Sequence, residues 1–492
     1  MKKKIFSIIL PVFFSATISI AQQFDFNKRC VDAYNFIQAL RFNEAKTLIA
    51  QEKNDNPGNL IPLFLDNYID FISIYISEDE EEFETLEKNQ QTRLVQLRKG
   101  DDDSPYYLYT QAELLIQWAF ARLKFEEYVN AFTEVKKAYG LLEENQKKFP
   151  DFIANKKSLG MLHCLVGAIP DKYKWGANIL GMDGTIQQGL NEMESIIAYS
   201  KTHKLIFTQE TYLYYAFLSL YLQKDDVTAW NIVKDLDTKN NLINVFCVSS
   251  VAMRTGRNDI AISTLQNKPS GSNYLSYAYL DFMLGLAKMR KLDSDANYYF
   301  ERFLKNFKGN NYIKEANQKL AWYYLINGNT AKYYEYMQII KQKGEDIIDD
   351  DKQAWYEAEN GKAPNVILLK SRLLFDGGYY KNALQLLEGK STDSFSDVKD
   401  KTEFTYRAAR IYHASGGIEK AKGFYAATIK NGETLTYYFA ASAALQLGLI
   451  YEKEKNHEKA KIYFNICLNM DNEEYKTSLD SQAKAGLNRV GE

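Results

Sequence analysis

The chain has 492 residues, 61 lysines and arginines against 63 aspartates and glutamates, and a formal charge of −2. That balance excludes the basic excess expected of a nucleic-acid binder. Eight prolines, four histidines and four cysteines in a chain that is 46 % apolar describe a helix-rich protein with little material for metal or acid–base chemistry.

The first 21 residues predict a cleaved secretory signal peptide. Lys2, Lys3 and Lys4 precede an apolar run from Ile5 to Ile20, and Ser19-Ile20-Ala21 supplies the small-x-small pattern before a cleavage point. The run is shorter than the roughly 20 residues that cross a bilayer, so the expected address is periplasmic or secreted, in a bacterium, with no membrane insertion of the mature chain. Residues 1–21 hold three lysines and no acid, which leaves 58 basic and 63 acidic side chains beyond them. Cys30, Cys164, Cys247 and Cys467 have no metal-ligand spacing and read as buried free thiols.

Residues 22–204 form the expected N-terminal helical region. Turn signals such as Asn56-Pro57-Gly58 and Phe149-Pro150-Asp151 fall where helices should end. Two acidic runs, Glu78 to Glu82 and Asp101 to Asp103, raise the possibility of calcium. They lack the glycine-punctuated alternation of a calcium loop and fit solvated helix ends better.

Between residues 158 and 200 the pattern changes. Gly160, Gly167, Gly176, Gly181, Gly184 and Gly189 crowd a short stretch, which suggests close backbone approach or left-handed turns. Thr185 and Gln188 predict a capping box for a helix from Ile186 to Tyr199. The segment also holds His163, Asp171, Lys172, Lys174, Trp175 and Asp183, the one place where an enzyme could be sought. His163 stands between Leu162 and Cys164, a setting for a hydrogen-bonded core residue rather than a catalyst. HExxH, G-x-S-x-G and P-loop patterns are all absent. No catalytic residue, cofactor or metal is therefore expected.

From residue 205 to 492 a repeat emerges. Ala383, Ala421 and Ala460 stand 38 and 39 residues apart, each preceded by a small residue, an aromatic or apolar residue and a turn. Fainter anchors run upstream at Tyr333, Ala296, Ala261 and Ala229, and Ala45 and Ala131 fit earlier still. The step of 50 between Tyr333 and Ala383 contains the acidic linker Gly344 to Asp351, which should break the regular stacking. Small residues suit helix crossings because a larger side chain would hold the backbones apart.

These residues and their spacing resemble the tetratricopeptide repeat (TPR) family. The resemblance implies an all-α fold, an α-solenoid of helix-turn-helix repeats whose usual work is to hold a protein or peptide partner. Residues 158–197, with Pro170, Leu180-Gly181, Gly184 and Gly189-Leu190, resemble the central motif of the inclusion-body-clearance family of TPR proteins, though Thr185 stands where a basic residue is expected. That likeness implies a helical scaffold with an adaptor-like role and brings no catalytic residues.

In such repeats the first helix of each pair lines the concave face. Counting back from the anchors, one phase holds Trp322, Arg372 and Arg410, and others hold Gln318, Tyr406 and His413. Two arginines in register beside aromatics suit the carboxylates of an extended peptide, or else ion pairs within the solenoid. Adjacent tyrosine pairs, among them Tyr298-Tyr299 and Tyr333-Tyr334, should place one ring inward and one outward. The alternative function is a helical glycan- or nutrient-binding protein of the envelope, for which five tryptophans and the lack of an anchoring cysteine are a poor match.

Overall fold

The computed structural model describes residues 22–169 and 181–491. The expected signal peptide lies outside the described residues, as do Pro170, Asp171, Lys172, Lys174 and Trp175. What is described is all-α, 73 % helical with 24 helices and no strand, consistent with a helical-repeat solenoid. None of these helices is long and apolar enough to cross a membrane.

The solenoid is built from antiparallel helix pairs, and the joint between the two helices repeats. Non-glycine or glycine residues in the left-handed region close the first helix at Leu40, Glu126, Lys224, Gly256, Leu292, Gly328, Gly378, Gly416 and Lys455. In most copies the following N–H donates back to the carbonyl five residues earlier: Arg41 to Phe36, Arg257 to Ala252, Asn329 to Tyr324, Tyr379 to Leu374 and Gly417 to Tyr412, each at 2.8 Å. This is the Schellman closure, which satisfies carbonyls that the helix leaves open.

Five residues after each left-handed position, or four after Leu292, comes an anchor: Ala45, Ala131, Ala229, Ala261, Ala296, Tyr333, Ala383, Ala421 and Ala460. All are buried. The turn ladder and the anchor ladder are thus one feature, because the turn fixes which side chain of the second helix first meets the first helix. The N-terminal region obeys it too. Glu78, also left-handed, is followed at the same distance by buried Phe83, a copy hidden in the sequence because it has neither a turn glycine nor a small anchor.

The expected irregularity at the acidic linker has a definite form. The helix Asp349–Asn360 packs on both helices of the preceding pair, Ile313–Ile326 and Thr330–Gln342. The next helix, Val366–Asp376, then lies against Tyr279–Lys291 as well as Ile313–Ile326. Asp351 explains why the linker docks there. Its buried carboxylate accepts from the backbone N–H of Tyr312 at 2.6 Å and of Glu315 at 2.7 Å, capping a helix whose own N-cap, Tyr312, supplies no side-chain bond.

The return of the chain also brings two turns together. A methyl group built at Gly378 would stand 2.3 Å from the carbonyl oxygen of Gly256, and both glycines have positive φ. Beside them the Tyr379 hydroxyl donates to Asp259 at 2.8 Å and accepts from Asn258 at 3.1 Å.

In the glycine-rich segment, helices Asn155–Gly167 and Ile186–Ser200 cross so closely that a methyl group at Gly189 would lie 2.1 Å from the Gly160 carbonyl oxygen. Thr185 caps the second helix through Gln188 N at 3.0 Å. The capping box is only half made, since the Gln188 amide reaches His163 at 3.1 Å instead. All four cysteines are buried and free. Tyr333 is buried while Tyr334 is exposed, the inward–outward division expected of neighbours on a helix.

Candidate functional site

The six residues singled out from sequence all lie on first helices of their pairs, and these helices pack side by side. Ile313–Ile326 carries Gln318 and Trp322, Val366–Asp376 carries Arg372, and Val398–Ala414 carries Tyr406, Arg410 and His413. Their exposures differ sharply. Gln318, Trp322 and Tyr406 are buried, whereas Arg372 keeps 35 % of its side chain exposed.

The buried members are held by the chain itself. Glu357 accepts from Gln318 Nε2 at 2.7 Å, Trp322 Nε1 at 2.8 Å and Tyr333 OH at 2.9 Å. Trp322 therefore serves as a platform from within: the Arg372 guanidinium lies 5.0 Å from its ring centroid and the Lys319 ammonium 4.4 Å. Tyr406 shares a hydrogen bond with Ser442 Oγ at 2.8 Å and accepts from Arg410 at 2.9 Å. Burial alone would raise its hydroxyl pKa, but the Arg410 charge overrides this and holds it below the usual tyrosine value. Arg410 also lies 4.8 Å from the Phe375 ring centroid. His413 meets the Tyr425 hydroxyl at 3.2 Å, and burial followed by the nearby Arg410 and Lys453 charges lowers its pKa. It is neutral at pH 7.

Around this core the structure adds groups that the sequence reading missed: Arg254, Arg290, Asp376 and Arg407. Arg407 is paired with Glu403 at 2.8 Å. Arg372 has only Asp376, at 3.7 Å. Arg254, Arg290 and Arg410 have no carboxylate within ion-pairing distance among the described residues. Arg290 makes one long bond, to the Met253 carbonyl at 3.4 Å, and burial lowers its pKa. Exposed Asp376 exerts its charge on Arg290, Arg407 and Arg410 alike. Five arginines thus line a seam floored by aromatic rings; Asp376 and Glu403 are, among the described residues, the acids in ion-pairing range of any of them, while Glu315, Glu474 and Asp226 act from further off on Arg290, Arg372 and Arg254.

A sequence signal for the missed residues exists. Arg254, Arg290 and Asp376 each stand two residues before a left-handed turn position, while Trp322, Arg372 and Arg410 each stand six before one. The two offsets are one helical turn apart and define one stripe.

Two other clusters have the look of chemistry. In the first, Lys157 Nζ lies 2.7 Å from Glu113 and 2.9 Å from Glu210. Tyr34, Tyr68 and Tyr214 donate to Glu210 at 3.0, 3.1 and 2.8 Å, and Ser158 donates to Glu113. Burial opposes ionisation of Glu210, but Lys157 and the tyrosine hydroxyls together hold its pKa below the usual value. Lys157 keeps 1 % of its side chain exposed, so the cluster is closed to solvent. In the second, His163 is buried and pairs with Glu192 at 2.7 Å, the hydrogen-bonded core setting expected for it. Of the acidic runs, Asp79 caps the helix Glu80–Leu97, and Asp101 to Asp103 form an exposed carboxylate triad before the helix Pro105–Lys124.

Neither protein-family models nor curated proteins give a match to this chain.

Proposed function

We propose that this chain is a non-catalytic, TPR-like scaffold that binds an acidic segment of a protein or peptide along the arginine seam. The observation that carries the reading is the surplus of guanidinium groups: Arg254, Arg290 and Arg410 lack carboxylate partners among the described residues, and Arg372 has a distant one. Arginine without an internal partner can give bidentate hydrogen bonds to a carboxylate. Trp322, Phe375 and Tyr406 fix the directions of the guanidinium planes beforehand, which lowers the entropy lost on binding. The signal-like N-terminus supports a periplasmic or secreted address.

The test is a titration with a fluorescent oligoglutamate peptide at low and high salt. The wild type should bind with an affinity that falls as salt rises. The double variant Arg372→Ala/Arg410→Ala should lose most of that affinity and most of the salt dependence while keeping its helical circular dichroism. Equal binding by both proteins would remove the seam from consideration.

A further inference from the structure

The fold sets the spacing of the seam's under-bonded arginines, and that spacing selects among ligands. Arg254, Arg290, Arg372 and Arg410 stand on the helices Leu242–Arg254, Tyr279–Lys291, Val366–Asp376 and Val398–Ala414, which pack side by side in that order. Arg254 and Arg290 each lie two residues before a left-handed turn position, Arg372 and Arg410 six before one. Within each pair the two arginines therefore share a level on adjacent helices, and the pairs differ by one helical turn. The row is electrically continuous. Burial lowers the Arg290 pKa, and the charges of Arg254 and Arg372 lower it further.

Most of the row's donors are free. A guanidinium carries five N–H groups. Among the described residues Arg410 spends one on the Tyr406 hydroxyl at 2.9 Å and Arg290 one on the Met253 carbonyl at 3.4 Å. Arg372 lies 3.7 Å from Asp376, beyond a hydrogen bond. Tyr221, Trp322 and Phe375 hold Arg254, Arg372 and Arg410 over their rings at 5.0, 5.0 and 4.8 Å from the centroids. A guanidinium over a ring keeps its N–H edge for a carboxylate.

Packed helices lie about 8 to 10 Å apart, so a chain crossing them must return acids to one face at that interval. A β-strand returns every second residue, about 6.6 Å, and its next return is about 13 Å. An α-helix offers about 5 to 6 Å at three or four residues and about 10.5 Å at seven, on a body about 10 to 12 Å wide. A polyproline II helix returns every third residue, about 9.3 Å, with no backbone bonds to satisfy. Its repeat is the one that falls inside the helix spacing. The wall beside Arg372 also suits proline. Tyr438 and Tyr475 act on the Arg372 charge, and their rings, edge to face at 5.2 Å, provide the aromatic surface on which such segments dock.

We propose that the seam's partner is a polyproline II segment with a carboxylate at every third residue, each set against one arginine of the row. This rests on the reading of the seam as a site for acidic segments. The probes are two isomeric peptides, four repeats of Glu-Pro-Pro and a block of four glutamates flanked by the same prolines, titrated calorimetrically against the full chain beside oligoglutamate. The repeat sets four acids against four arginines, whereas the block sets its first and fourth against two. The repeat should bind roughly tenfold more tightly, the effect of two further exposed charge pairs. In Arg372→Ala/Arg410→Ala, which keeps two arginines of the row, the isomers should bind alike. Equal binding of the isomers by the wild type, or an advantage of the repeat that survives in the variant, would overturn the spacing while oligoglutamate binding still upheld the seam. Tighter binding of a helical alanine peptide with glutamate at every seventh residue would overturn polyproline II in favour of a helix. If neither isomer nor oligoglutamate bound, the seam itself would fall.

Discussion

The Lys157 cluster and the arginine seam are both charged interiors of a helical stack, and they solve the problem of burial in opposite ways. At Lys157 every ionised group has a partner of the other sign or a hydroxyl donor, and water is shut out. At the seam, three of the five arginines have no carboxylate in ion-pairing range among the described residues, aromatic rings lie against the guanidinium groups, and solvent reaches Arg372. A closed network contributes a unique packing arrangement and nothing for a ligand to complete. An open, under-compensated one leaves a site whose electrostatics improve when a partner arrives.

That contrast can be broken experimentally, and the largest effect should come from the closed side. Lys157→Met strands Glu113 and Glu210 in an apolar interior and should destabilise the fold by about 3 to 5 kcal/mol, measured by urea unfolding. The pH dependence has a definite sign. Because the folded-state pKa of Glu210 is lowered, its contribution is present above the unfolded value of about 4.3 and is lost as pH falls through the folded value. Wild-type melting temperature should therefore decline below about pH 4, and the Lys157→Met variant should show less of that decline.

Next comes the contact between turns. Gly378→Ala forces both a positive φ and a methyl group onto the Gly256 carbonyl and should cost about 2 kcal/mol or more. Gly328→Ala has the same backbone conformation with open space around it and should cost about 1 to 2 kcal/mol. Equal melting temperatures for the two would mean that the returning helix pair does not press on the Gly256 turn. Ala421→Leu, at a fully buried anchor, should cost about 1 to 3 kcal/mol through overpacking. Asp351→Ala removes a cap supplied from the inserted helix and should cost about 1 to 2 kcal/mol, with faster hydrogen exchange confined to the first turn of Ile313–Ile326. The smallest effect on stability belongs to the seam: Arg372→Ala removes a partly exposed ion pair and should change it by less than about 1 kcal/mol, and Arg410→Ala, which gives up one hydrogen bond to buried Tyr406, should cost about 1 kcal/mol.

The architecture was legible because the repeat is written in small residues whose size is dictated by the helix crossing. Ala229, Ala261, Ala296, Ala383, Ala421 and Ala460 needed no tertiary information to be found. Phe83 was missed because neither a turn glycine nor a small anchor marks its copy: the turn is made by Glu78, whereas aromatic Tyr333 could be placed from the Gly328 turn before it. The stripe of Trp322, Arg372 and Arg410 followed from phase, yet phase could not tell that Trp322 lies beneath Arg372 with its N–H held by Glu357. Glu357 and Asp351 belong to the inserted helix, whose docking breaks the period, so their bonds to Ile313–Ile326 could not be counted from the repeat. Gln188 shows the same limit at short range: its spacing from Thr185 suits a capping box, but His163 from the neighbouring helix competes for its amide.

The central claim is that the seam's arginines are held without carboxylate partners so that an anionic segment can supply them. The most direct measurement is the affinity of the full chain for an oligoglutamate peptide as a function of salt, for the wild type and for Arg372→Ala/Arg410→Ala. The account predicts a steep loss of wild-type affinity with rising salt, and a double variant whose weaker binding is nearly flat over the same range. Indistinguishable curves from two equally folded proteins would contradict it.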